Sequence, residues 1–125
     1  SPGSVLEPGR CYTLSFWARS ENIRGEKFGA TGFVVRLKGR GPDGLNYSRE
    51  VAVLPNGTRE WRRYHYPVDT SLEPVLARLD RLWVEMGVYK GSGKVWVDNV
   101  QLEPKPYPTL FTSGIRRPHD EVLSR

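Results

Sequence analysis

Two pairs of side chains, each spaced two residues apart, raise the first chemical question. Arg36 and Lys38 form one pair and Trp83 and Glu85 the other, and residues i and i+2 of a strand stand on the same face. Trp17 holds the corresponding position in its own segment, between Ser15 and Arg19. Flat indole rings beside cations and a carboxylate suit a ligand with apolar faces and directional hydroxyls. The aromatic supplies a platform and the polar groups fix orientation. Trp17, Arg36, Lys38, Trp83 and Glu85 are therefore expected to share one exposed sheet face as a ligand-binding set. The competing reading has Trp17 and Trp83 covered by a loop or by the proline-rich tail. Trp61 and Trp96 are expected in or near the core.

Other chemistries find less support. His65 and His119 have no neighbouring motif that would place either in a triad. Glu85 and Asp98 are candidates to face each other across neighbouring strands, but no cleft is evident, and solvated charge is the simpler account. No glycine-rich loop joins a strand to a helix to cradle phosphate. Arg59, Arg62 and Arg63 lie near Tyr64 and Tyr66, but their side chains alternate between faces, so no nucleic-acid partner is expected. Cys11 is the single cysteine, which excludes an internal disulfide and a cysteine-based metal site. At the head of an apolar strand it reads as a small buried hydrophobe. The expectation is a protein that is not an enzyme.

The elements that must carry these residues read as strands. Thirteen glycines and ten prolines punctuate the chain, and alternating runs rich in aromatic and β-branched residues lie between them. Tyr12, Leu14, Phe16 and Ala18 form the apolar side of the first run. Phe33, Val35 and Leu37 do the same in the second, and Leu82, Val84, Met86 and Val88 in a later one. Six strands are predicted: 11–20, 32–38, 47–54, 61–68, 82–89 and 94–102, the last entered through a turn at Gly91-Ser92-Gly93. Only 71–81 has helical spacing, with Leu72, Val75, Leu76 and Leu79 after a capping Ser71. The predicted fold class is an all-β antiparallel sandwich spanning residues 1–104. Residues 105–125, which continue the alternate-position prolines of Pro104 with Pro106 and Pro108, form an extended tail in which Phe111 packs on the domain or on a partner subunit.

Three stretches in order resemble the family 4 and family 9 carbohydrate-binding modules and their jelly-roll relatives. Pro8-Gly9-Arg10-Cys11-Tyr12-Thr13-Leu14-Ser15-Phe16-Trp17-Ala18-Arg19 is similar to one of that family's strands. Glu60-Trp61 with Tyr64, Tyr66 and Val68 is similar to its tryptophan-led strand. Gly93-Lys94-Val95-Trp96-Val97-Asp98-Asn99-Val100-Gln101-Leu102 is similar to its closing strand. The resemblance covers about residues 5–104. It implies a jelly-roll sandwich that binds a polysaccharide or cell-surface glycan without catalysis, and a secreted or surface location. It also implies a structural calcium ion at Asp98, where the residues alone also allow a bulge cap or an arginine pair. Few residues precede Cys11 compared with that family, so the expected domain is trimmed, smaller, or completed by strands from another chain. The ending Gln101-Leu102-Glu103, Pro108-Thr109, Phe111, Gly114 and Arg116 resembles that of modules on phage tails and virion surfaces. The alternative it implies is a virion structural module using the same sandwich for assembly or host attachment.

Composition sets the outer bounds. The 125 residues are 38% hydrophobic and 26% charged, which suits one globular domain. No apolar run nears the roughly 20 residues of a membrane span, so no membrane partner is expected. The net charge of +5 favours acidic partners, acidic polysaccharides among them. Opening on Ser1 without a charged-then-apolar leader, the sequence reads as a processed or excised piece.

Overall fold

Strict alternation makes the first strand two-faced. Along β1 (Cys11–Gly25), Tyr12, Leu14, Phe16 and Ala18 are buried on one side. The computed structural model describes residues 5–26 and 31–108. Five more strands follow: β2 (Gly32–Arg40), β3 (Asn46–Leu54), β4 (Gly57–Asp69), β5 (Arg81–Tyr89) and β6 (Gly91–Glu103). All pairings are antiparallel, in two three-stranded sheets ordered β4-β1-β6 and β3-β2-β5. The protein is an all-β sandwich, as its alternation predicts.

The inner faces of both sheets share one core. Leu14, Phe16, Phe33, Val35, Leu37, Val68, Leu76 and Leu79 are fully enclosed in it. Phe16 stacks between Tyr64 and Tyr66, with ring centroids at 5.6 and 6.2 Å. Burying a side chain of this size is worth roughly 1.5–3 kcal/mol. Cys11, expected to be buried, is half-exposed, with its thiol 3.8 Å from the Tyr12 carbonyl.

Two of the register shifts bear on the candidate residues. Between β1 and β6 the register passes from Ser15↔Gln101 to Trp17↔Asp98, so Asn99 and Val100 together oppose Phe16. Asn99 takes a left-handed backbone, φ 51°, which asparagine tolerates better than most residues. Between β2 and β3 the extra residue is Val51, and the slip brings Glu50 opposite Arg36.

Element boundaries differ from expectation in two places. Gly91 and Ser92 do not form a turn but pair with Gly25 and Arg24 inside β6. A side chain at Gly91 would strike the Arg24 carbonyl, so glycine here serves close strand approach. The helical spacing of 71–81 yields only a 3-10 turn, Pro74–Arg78. The Asp69 carboxylate captures the Ser71 N–H at 2.9 Å, while Leu76 and Leu79 plug the core.

Past β6 the chain stays attached at its start, for the Thr13 hydroxyl donates to the Lys105 carbonyl at 2.7 Å. The expectations for Phe111 and for the rest of the tail past residue 108 lie outside the described residues.

Candidate functional site

The outer face of the β3-β2-β5 sheet gathers four of the five expected ligand-binding residues. Strands β2 and β5 are hydrogen-bonded neighbours, with Arg36 opposite Glu85 and Lys38 opposite Trp83. Because Phe33, Val35 and Leu37 point into the core, Arg36 and Lys38 must point out. The same logic on β5 turns Trp83, Glu85, Gly87 and Tyr89 outward.

Glu85 organises the centre of this face. One carboxylate oxygen accepts the Trp83 indole N–H at 3.2 Å, and the other lies 3.3 Å from the Lys38 ammonium. The indole hydrogen bond, with Lys38 and then Arg36 adding to it, holds the Glu85 carboxyl below the usual carboxylate range. Arg36 lies 3.7 Å from Glu50 and stacks its guanidinium 4.1 Å from the Tyr89 ring centroid. The two aromatics remain open to solvent, Trp83 at 38% and Tyr89 at 42%. Six residues apart on one strand, they lie about 20 Å from each other. Between them, no atom lies within 4 Å of where a Gly87 side chain would begin.

Two shallow recesses flank the cluster. One of about 510 Å³ is lined by Arg36, Lys38, Ser48, Arg49 and Glu50. The other, about 710 Å³, lies at the far end of Trp83 against Val5, Arg40, Asp80, Arg81 and Leu82. The arrangement can stack a flat apolar ring and both donate and accept hydrogen bonds around it.

Trp17 does not belong to this face. It sits on β1, in the other sheet, opposite Arg63 of β4 and Asp98 of β6. The alternation along its own segment was right about its side. It carried no information on which sheet that segment joins. Trp61 and Trp96 are likewise half-exposed rather than core residues. Trp96 stands opposite Arg19, whose guanidinium stacks 4.5 Å from the Trp96 ring centroid and also approaches Glu60 at 3.4 Å.

Asp98 serves the bulge, accepting the Asn99 backbone N–H at 2.9 Å. Among the described residues, no three His, Cys, Asp or Glu side chains gather to hold a metal ion. Glu85 and Asp98 do not face each other across neighbouring strands, because β5 and β6 lie in different sheets. A second polar cluster lies at the β3 edge. There Tyr47 donates to Glu73 at 2.8 Å and Arg49 pairs with the same carboxylate. Burial, with the hydrogen bond to Glu73, pushes the Tyr47 phenol up to about 12.

Tyr89 and Glu50 are the members of the cluster that sequence reasoning did not nominate. Tyr89 was legible, since the alternation through Trp83 and Glu85 reaches it directly. Glu50 was not, because only the Val51 bulge turns it towards Arg36. No protein-family model, curated protein or solved structure matches the chain.

Proposed function

We propose that this chain is a non-catalytic carbohydrate-binding module, and that the outer face of β3-β2-β5 receives a polysaccharide or cell-surface glycan. The setting that goes with this role is outside the cell, on a cell surface or on a virion. One observation carries the reading. The Trp83 ring is 38% exposed on a flat sheet face, and its N–H is tied to Glu85, so the platform is preorganised instead of being a loose surface aromatic. Lys38, Arg36 and Glu50 supply polar groups around it.

The test is Trp83→Ala measured by isothermal titration against a glycan panel, with Trp17→Ala as the control on the opposite sheet. Trp83→Ala should weaken binding by about 1–3 kcal/mol, from lost area and stacking, with the melting temperature nearly unchanged. Trp17→Ala should leave affinity intact. Unfolding by Trp83→Ala with no glycan signal in the parent protein would end the proposal.

Assembly into a virion structure through the same sandwich is the second reading. The feature that favours it is the small size of the sheets, which leaves β3, β4, β5 and β6 as edge strands among the described residues. Such edges can pair with strands from another chain. Light scattering after size exclusion separates the two, since a concentration-independent monomer that binds glycan removes the assembly reading.

A further inference from the structure

We propose that Arg40 and Arg81 form an oxyanion clamp beside Trp83, taking the carboxylate or sulfate of an acidic glycan; the inference rests on the reading of this face as a carbohydrate site. The two arginines stand directly opposite each other on β2 and β5, one step along from the Lys38↔Trp83 pair and on the same outward side. Like charges directly opposed across a ladder are destabilising. Lys38 and Arg36 are each matched by a carboxylate. Neither Arg40 nor Arg81 has a side-chain hydrogen bond or ion pair among the described residues. Asp80 lines the same recess without pairing to either. The face is thus close to neutral at its centre and positive at the Trp83 end.

The backbone under Arg40 is held tightly. A side chain at Gly39 would begin 2.7 Å from the Arg81 carbonyl oxygen, and one at Gly41 would begin 2.7 Å from that of Arg78. The Arg40 carbonyl in turn accepts the Asp80 N–H at 2.9 Å. Two glycines therefore let β2 pack close to the 78–81 segment and keep the Arg40 Cα facing that of Arg81. Guanidinium forks match carboxylate and sulfate oxygens two at a time, and the recess of about 710 Å³ they share with Trp83 admits a charged sugar ring. A uronic acid carries its carboxylate on the rim of a ring whose faces are apolar, so one residue engages platform and clamp together. A polyphosphate strand fits less well, because Glu50, Asp80 and Glu85 all lie along this face or its recesses.

The test uses the full chain with four probes: polygalacturonate, its fully methyl-esterified form, a sulfated polysaccharide and single-stranded DNA. The expected result is binding of polygalacturonate, the sulfated chain or both, about tenfold tighter than the uncharged ester, as for lost charged hydrogen bonds. Arg40→Gln, Arg81→Gln and the double substitution should erase that preference and its salt dependence without lowering the melting temperature. Equal binding of the ester and no effect of the arginine variants, with Trp83→Ala still weakening binding, would overturn the clamp and leave the carbohydrate reading standing. Retention of no glycan at all would overturn both. Preference for DNA, lost in the arginine variants, would make the site one for phosphate and overturn the glycan assignment.

Discussion

A single carboxylate sets the geometry of the proposed platform. Glu85 divides its two oxygens between the Trp83 indole and the Lys38 ammonium, so one ionisation state orients both groups. The Trp83 hydrogen bond, then Lys38, favours the charged form and keeps the Glu85 pKa low. A carboxyl depressed in the folded state contributes stability above its unfolded pKa, about 4.3 for glutamate. That contribution is lost as pH falls through the lower folded value. The Trp83 indole N–H resonance should therefore stay constant from neutral pH to the ordinary carboxylate range and move only below it. Glu85→Gln keeps an acceptor for the indole but loses the charge, so its spectrum should show no such acid step. A Trp83 signal titrating near neutrality in the parent protein would contradict the role assigned to Glu85.

At the scale of elements, the bulges do more than relieve strain. The Val51 bulge puts Glu50 against Arg36, and the Asn99 bulge places Asp98 where its side chain receives a backbone N–H. Strand positions were readable from period-2 alternation, because burial of one face demands it. A bulge adds one residue and changes nothing in composition: the one beside Asp98 was open among that residue's alternatives, whereas nothing in the sequence marked the one at Val51. Among the described residues Asp98 has no carboxylate or histidine cluster with which to share the calcium that the resemblance implies, and it accepts the Asn99 N–H. Asp98→Ala should cost about 1 kcal/mol through the lost hydrogen bond, and a chelator should leave the parent's melting temperature unchanged. A rise in melting temperature on adding calcium, absent in Asp98→Ala, would restore the metal reading.

For the whole molecule, the sandwich is closed by the chain crossing between sheets four times, β1 to β2, β3 to β4, β4 to β5 and β5 to β6. This places β1 and β2, each in the middle of its sheet, back to back across the core. The start of the tail adds to that closure, since the buried Thr13 hydroxyl is satisfied by the Lys105 carbonyl. Removing everything after Glu103 should leave this hydroxyl without its partner, at a cost of about 1 kcal/mol or more. For a domain near 100 residues that is a fall of roughly 4–8 °C in melting temperature. An unchanged thermal transition would reduce the tail to a connector.

Local periodicity by itself determined the six strands, the inward set Leu14, Phe16, Phe33, Val35 and Leu37, and the outward side of Trp83, Glu85, Arg36 and Lys38. Each of these follows from side chains alternating along an extended backbone whose one face must leave water. Which strands become neighbours is settled by long-range pairing, to which a residue's parity is blind. The tertiary structure therefore joined β2 to β5, completing the Lys38–Glu85–Trp83 cluster, and sent Trp17 to the opposite sheet. It also set Arg40 against Arg81 across that pairing. Two cations some forty residues apart carry no mutual signal until the register brings them face to face.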